Sequence, residues 1–134
     1  MLFIMNYQKN GIEITRLCIG CMGFGDPSLG HPTWVLGEEG SRPVIKHAIK
    51  AGINFFDTAN LYSQGTSEEN VGRALKDFAK SENVVIATKL GAPMRSGHNA
   101  FGLSRKAIMT EIDYSLSDSA PITSIFTRSI APTK

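Results

Sequence analysis

The 134-residue sequence is short of most features that would fix a function at a glance. It has two cysteines and one tryptophan, and no apolar run approaches the roughly 18 residues that a membrane helix requires. Met1 to Met5 is apolar but is interrupted at once by Asn6, Gln8 and Lys9. A secretory signal needs a basic start and an apolar stretch of about 7–15 residues. A slightly early start codon accounts for the segment better, and the expected compartment is the cytoplasm. Neither sign of charge dominates: 14 Lys and Arg against 12 Asp and Glu give a net charge of +2. The basic residues are scattered, so no nucleic-acid footprint is present and no nucleic-acid partner is expected. With 42% hydrophobic and 19% charged residues the composition is ordinary for one globular domain.

The two cysteines, Cys18 and Cys21, are spaced C-x-x-C, a pattern shared by redox and metal sites. A redox pair of that kind opens a helix, which lowers the first thiol's pKa. Here the pair lies in Leu17-Cys18-Ile19-Gly20-Cys21-Met22, which reads as a buried strand entering a glycine-rich loop. Two strand cysteines packed as small apolar residues is the better reading. Zinc needs about four ligands, and His31, His47 and His98 stand apart, so no metal is expected. Two glycine-rich stretches also fail as nucleotide motifs. Gly20-Cys21-Met22-Gly23-Phe24-Gly25 has the dinucleotide spacing reversed, and Gly91 to Gly97 lacks the Lys-Ser/Thr ending of a phosphate-binding loop.

What is present is a steady alternation of short apolar runs and amphipathic stretches. Met5 to Lys9 and Ile12 to Thr15 flank Asn10-Gly11, a strong two-residue hairpin signal. A first buried strand is expected over Arg16 to Gly20, followed by a long loop to Gly40. A helix capped by Ser41, with Pro43 in its first turn, carries Val44, Ile45, Ala48 and Ile49 at helical spacing and ends at Gly52. Ile53 to Phe56 is the second strand. Thr66-Ser67-Glu68-Glu69 reads as a capping box for a helix whose inward side is Val71, Leu75 and Phe78. Val84 to Thr88 is a third strand, apolar and β-branched almost throughout, as in parallel sheets covered on both faces. A third helix, capped by Ser104, sets Ile108, Ile112 and Leu116 in register. The order β-α-β-α-β-α implies a parallel sheet with right-handed crossovers. A doubly wound sheet and a (β/α)8 barrel both remain open at this level.

Three polar residues occupy places that a purely structural chain would not need. Asp57 ends the second strand, Tyr62 follows in the next loop, and Lys89 ends the third strand. In a parallel barrel all strand C-termini open on one face, where active sites are built. A lysine ending a buried strand is costly unless a carboxylate pairs with it, and Asp57 is the natural partner. A free phenol, with a pKa near 10, donates its proton poorly at neutral pH. An adjacent ammonium stabilises the phenolate and moves a phenol towards general-acid behaviour. Singly, each residue has a structural explanation: Asp57 as a turn cap, Tyr62 as loop packing, Lys89 as a chain reaching solvent. Together on one face they favour chemistry.

Gly52-Ile53-Asn54-Phe55-Phe56-Asp57-Thr58-Ala59-Asn60-Leu61-Tyr62, then Gly65-Thr66-Ser67-Glu68, resembles the aldo-keto reductase signature. Val85-Ile86-Ala87-Thr88-Lys89 resembles that family's third strand with its lysine, and Leu17 to Gly25 its first strand and nicotinamide-facing loop. The wording is nearest to bacterial members of the YajO-like or general-stress type. The resemblance implies an α/β fold, the N-terminal part of a (β/α)8 barrel with a hairpin and three βα units. It implies an oxidoreductase using NADP(H) to reduce a small-molecule aldehyde or ketone, with catalytic Asp57, Tyr62 and Lys89. By the same resemblance Gly20, Cys21, Met22 and Asp57 lie near the cofactor.

The resemblance covers residues 1–116 and stops there. Residues 117–134 show no fourth strand bearing the family's histidine, and such a barrel takes about 250 residues. Codons permitted by the tail, read one base out of frame from Asp118, spell L-R-T-D-Y-I-D-L-Y-T-I-H-R-S-D, which resembles that missing strand. A frameshifted tail on a truncated, inactive reductase is therefore the expectation, and a non-catalytic fragment that associates with other chains or is degraded is the alternative. Three strands cut from a closed barrel leave open edges, and Ile122-Thr123-Ser124-Ile125-Phe126-Thr127 is β-prone and uncharged, so self-association is expected.

Overall fold

The computed structural model describes residues 6–9, 11–29, 33–98, 101–118 and 125–129. Met1 to Met5, Asn10 of the expected turn, His31 and most of the tail lie outside the described residues.

An antiparallel hairpin, β1 (Asn6–Lys9) and β2 (Ile12–Thr15), comes first. Gly11 takes φ +79°, the left-handed region that a tight hairpin turn demands and that glycine enters without penalty. Asn54 fastens the hairpin to the rest of the chain. Its Oδ1 accepts from the Thr15 N–H at 2.8 Å and its Nδ2 donates to the Glu13 carbonyl at 2.9 Å.

The sheet runs β3 (Ile19–Gly20), β4 (Phe55–Asp57), β5 (Val85–Leu90), β6 (Ile125–Ser129), and every neighbouring pair is parallel. Helices α1 (Glu38–Lys50), α2 (Thr66–Phe78) and α3 (Arg105–Asp118) connect them. Phe56 and Ile86 from the sheet, Ile45 from α1, and Val71, Ala74 and Leu75 from α2 join Cys21, Phe24 and Val84 in one core. Ile45, Val71 and Leu75 are positions that the helical spacings single out, whereas Val44, expected on the same stripe, is 43% exposed. Gly52, at φ +87°, ends α1 as expected, its N–H donating to the Ile49 carbonyl.

Five local expectations change. Only Ile19–Gly20 of the first strand pairs, and Leu17 and Cys18 are exposed, so Cys18 does not pack as a core residue. Helix α1 starts four residues early: Gly37, not Ser41, is its N-cap, and Glu38 and Glu39 place negative charge at the positive end of the helix dipole. Ser41 is buried inside that helix, its hydroxyl donating to the Glu38 carbonyl. The capping box does not form, because Gly65, at φ +95°, is the N-cap of α2. Thr66 Oγ1 instead donates to the Ser63 carbonyl and accepts from the Asp26 N–H.

On α3 the buried positions are Ala107, Glu111 and Ser115; Ile108 and Ile112 are half-buried and Leu116 is 43% exposed. Polar bonds from Glu111 to Asn60 in the loop after β4 and from Ser115 to Glu68 on α2 outweigh the apolar stripe and turn the helix by one residue. Ser104 does cap it, Oγ accepting from the Ala107 N–H at 3.2 Å. The fifth change is β6, a fourth parallel strand where none is expected. Its backbone continues the ladder from Ile86↔Ile125 to Leu90↔Ser129 and covers the β5 edge, and its residues include no histidine.

Candidate active site

Parallel pairing aligns the strand C-termini, with Gly20 opposite Asp57 and Asp57 opposite Ala87. The ladder continues into the loop after β4. The Thr58 N–H donates to the Ala87 carbonyl at 2.8 Å and the Asn60 N–H to the Lys89 carbonyl at 3.2 Å. The chain then turns, the Tyr62 N–H donating to the Ala59 carbonyl, and Tyr62 comes back over Lys89.

The three residues predicted to act together are brought together. Lys89 Nζ lies 2.9 Å from Asp57 Oδ2, donates to Tyr62 Oη at 3.0 Å, and donates to the Thr58 carbonyl at 2.7 Å. An ammonium has three donors, and here all three have acceptors. It also sits 4.7 Å from the Tyr62 ring centroid, where the ring's quadrupole attracts it. Burial pushes the Lys89 pKa down, but the bonds to Tyr62 and Asp57 outweigh it and hold the group above its ordinary value. Asp57 Oδ1 is buried with no hydrogen-bond partner among the described residues.

Tyr62 is aimed by an unusual turn. Ser63 and Gln64 follow it at φ +47° and +55°, and Gly65 at +95°. Two consecutive non-glycine residues in the left-handed region cost of order 1–3 kcal/mol each unless their surroundings hold them. Gly25 is part of that hold: a Cβ there would come 2.3 Å from Ser63 Cβ. No sequence signal marks Ser63 and Gln64, since neither residue type favours that conformation; Gly65 alone hints at it.

Among the residues expected near a cofactor, Gly20 faces open space, with nothing within 4 Å of a built Cβ, and Met22 is 46% exposed. Cys21 differs. Its side chain is fully buried in the core, and burial drives its thiol pKa far upward. Its backbone is engaged as well, the N–H donating to the Asp57 carbonyl at 2.8 Å and the carbonyl accepting from Ser67 Oγ at 2.7 Å. Cys18 is also held above its ordinary value, chiefly by partial burial, so neither thiol is activated. Among the described residues no group of His, Cys, Asp or Glu could hold a metal ion, and no helix is long and apolar enough to cross a membrane.

A buried polar layer behind the site escapes the sequence reading. Glu68, 1% exposed, accepts from Thr88 Oγ1 and from Ser115 Oγ. Glu111, 4% exposed, accepts from Asn60 Nδ2 and pairs with Arg95. Thr58 Oγ1 lies against Ser67 Oγ, which donates to the Cys21 carbonyl. The sequence pattern treats carboxylates on helices as solvated, and only the three-dimensional pairing shows otherwise.

Known proteins are similar to this chain. Versiconal hemiacetal acetate reductase of Aspergillus parasiticus is 38% identical over 133 residues, covering 84% of this chain and 38% of that protein. L-glyceraldehyde 3-phosphate reductase of Escherichia coli is 35% identical over 125 residues, covering 87% of this chain and 36% of that one. The holo form of aldo-keto reductase AKR11C1 from Bacillus halodurans superposes with a TM-score of 0.74 at 26% identity, over 94% of this chain and 40% of that chain. The present chain thus spans well under half the length of these relatives. Its open parallel sheet corresponds to part of their (β/α)8 barrel. The family model described as "Aldo/keto reductase family" matches residues 16–119, from the start of the sheet to the end of α3, and so the chain belongs to that oxidoreductase family.

Proposed function

We propose that the strand-end cluster is the proton-donating centre of an NADP(H)-dependent carbonyl reductase, acting on an aldehyde or ketone. Tyr62 is the general acid: its hydroxyl gives a proton to the carbonyl oxygen as negative charge develops there. Lys89 donates to the phenolic oxygen, so the phenolate left behind meets a positive charge already in place. Asp57 holds that ammonium in position and keeps it charged. The observation that carries the reading is the Lys89 Nζ–Tyr62 Oη contact of 3.0 Å, on an ammonium whose other partners are Asp57 and a backbone carbonyl.

Gly20, with open space before it, exposed Met22 and the unpartnered Asp57 Oδ1 fit a flat polar ring approaching the strand ends. Cys21 does not fit with them: its side chain is in the core, its N–H donates to the Asp57 carbonyl and its carbonyl accepts from Ser67 Oγ. When bound, the nicotinamide cofactor supplies hydride to the carbonyl carbon. The protein's own part is to orient the carbonyl and deliver the proton.

A second reading has its own support. Of the described histidines, His47 lies on α1 and His98 in the loop before α3, so no described strand end supplies one to orient a carbonyl. On that ground the 134-residue chain, assayed alone, is a non-catalytic piece of a reductase. NADPH oxidation at 340 nm with a panel of aldehydes and ketones separates the two. Turnover that Tyr62→Phe lowers about 10²–10⁴-fold supports the enzyme. Turnover indifferent to Tyr62→Phe refutes the acid assignment, and absence of both turnover and NADPH binding supports the non-catalytic piece.

A further inference from the structure

Glu111 sits on the buried face of α3, 4% exposed, where an apolar residue would serve packing better. A carboxylate taken out of water is costly unless geometry and partners compensate. Both its oxygens are engaged. Oε2 accepts from Asn60 Nδ2 at 2.9 Å, and Oε1 pairs with Arg95, whose guanidinium is stacked 3.4 Å from the Tyr114 ring centroid.

Asn60 is the informative partner. It is itself 4% exposed, it stands two residues before Tyr62, and its N–H donates to the Lys89 carbonyl. Asn60 Oδ1 has no hydrogen-bond partner among the described residues, so the orientation of this side chain depends on what Nδ2 meets. That acceptor is Glu111. One side chain on α3 therefore anchors the short segment that carries Asp57 at one end and Tyr62 at the other, against the strand that carries Lys89.

We propose that Glu111 is a positioning residue: through Asn60 it sets the distance between the Tyr62 phenol and the Lys89 ammonium. The proposal rests on the reading of that pair as the proton-donating centre, and it deepens that reading by placing control of the pair in the third helix.

The test reads Lys89 directly and needs no turnover. In protein carrying ¹³C-labelled lysine, the Lys89 Cε resonance, assigned by its loss in Lys89→Arg, is followed against pH. The titratable groups coupled to Lys89 are Asp57 and Tyr62, which hold its pKa up, and the thiols of Cys18 and Cys21, and none of the test substitutions touches them. Glu111→Leu keeps the volume and removes the acceptor; it is expected to move the Lys89 midpoint to lower pH, because the bond to Tyr62 loosens while burial remains. Asn60→Ala cuts the same link from the other side and is expected to give the same shift. Glu111→Gln still accepts from Asn60 and is expected to leave the midpoint in place. A folded Glu111→Leu or Asn60→Ala protein with an unmoved midpoint overturns the proposal. A Glu111→Gln shift equal to that of Asn60→Ala overturns it too, since lost charge rather than the lost bond would then be the cause. Should Glu111→Leu fail to fold, the other two variants decide. Loss of the reductase reading would appear in the NADPH assay and not here, so the two failures are told apart.

Discussion

Lys89 donates to the phenolic oxygen of Tyr62 at 3.0 Å from the strand next to the one that carries Asp57. This contact has a consequence for alkaline stability. The folded-state pKa of Lys89 lies above its ordinary value, burial being outweighed by the bonds to Tyr62 and Asp57. The associated stabilisation is therefore complete below about pH 10, the unfolded value, and is lost as pH climbs through the raised folded value. Denaturant midpoints measured from neutral to strongly alkaline pH are expected to fall at the upper end, and Lys89→Met is expected to remove part of that fall. An identical decline in Lys89→Met would contradict the pairing.

Acid stability follows the opposite sign. Glu38 is held below the usual carboxylate range, chiefly by its bond to Arg73. Its contribution is present above about pH 4.3 and is lost as pH falls through the lowered folded value. Both side chains are well exposed, so the pair is worth roughly 0–1 kcal/mol after solvent screening. Glu38→Gln is expected to leave neutral stability almost unchanged while slightly flattening the acid limb of a pH–stability curve.

Gly25→Ala puts a methyl group 2.3 Å from Ser63 Cβ and 2.4 Å from its Oγ, at a φ of +150° that a side chain rarely adopts. The neighbour that must move belongs to the left-handed turn behind Tyr62, so it cannot yield cheaply. A loss of about 1–3 kcal/mol is expected in chemical denaturation, in the range of other overpacked cores. Stability equal to that of the unaltered chain would show that the turn is not held from this side.

The order of β3, β4, β5 and the three helices, the Asp57–Lys89 pair and the place of Tyr62 are legible in the sequence, because each follows from local pattern. An apolar β-branched run between amphipathic stretches can be little other than a covered parallel strand, and a lysine ending it must find a carboxylate. What was not legible depends on long-range pairing. The rotation of α3 is set by Glu111 reaching Asn60 and Ser115 reaching Glu68 across 51 and 47 residues of sequence. The start of α1 is set by Gly37 and two glutamates, where Ser41 looked the better cap. The strand Ile125–Ser129 was missed for another reason. The tail departs from the family pattern, yet an open β5 edge accepts any extended, β-prone segment that offers its backbone.

That strand bears on association. With β6 over the β5 edge, the unpaired backbone of the sheet lies, among the described residues, at β3, only two residues long, and beyond β6. Large apolar side chains remain uncovered, among them Trp34 at 61%, Phe101 at 57%, Met109 at 52% and Leu17 at 51% exposed. Sedimentation velocity across a concentration series is expected to show growing self-association. A monomer at every concentration, with a sharp cooperative melt, would contradict this.

We also propose that residues 117–134 are read out of frame. Sequencing the gene beyond the Leu116 codon is expected to reveal an alternative frame encoding a strand with a histidine near the position now held by Ser129. Closed frames on both sides would remove the proposal.

The central claim is that an acid, a phenol and an ammonium meet at the strand ends, and the Lys89 titration tests it most directly. By ¹³C NMR the Lys89 midpoint is expected above that of an ordinary lysine in the unaltered chain, and lower in both Tyr62→Phe and Asp57→Asn, where burial acts with less opposition. A midpoint at the ordinary lysine value, unmoved by either substitution, would mean that the three groups do not meet.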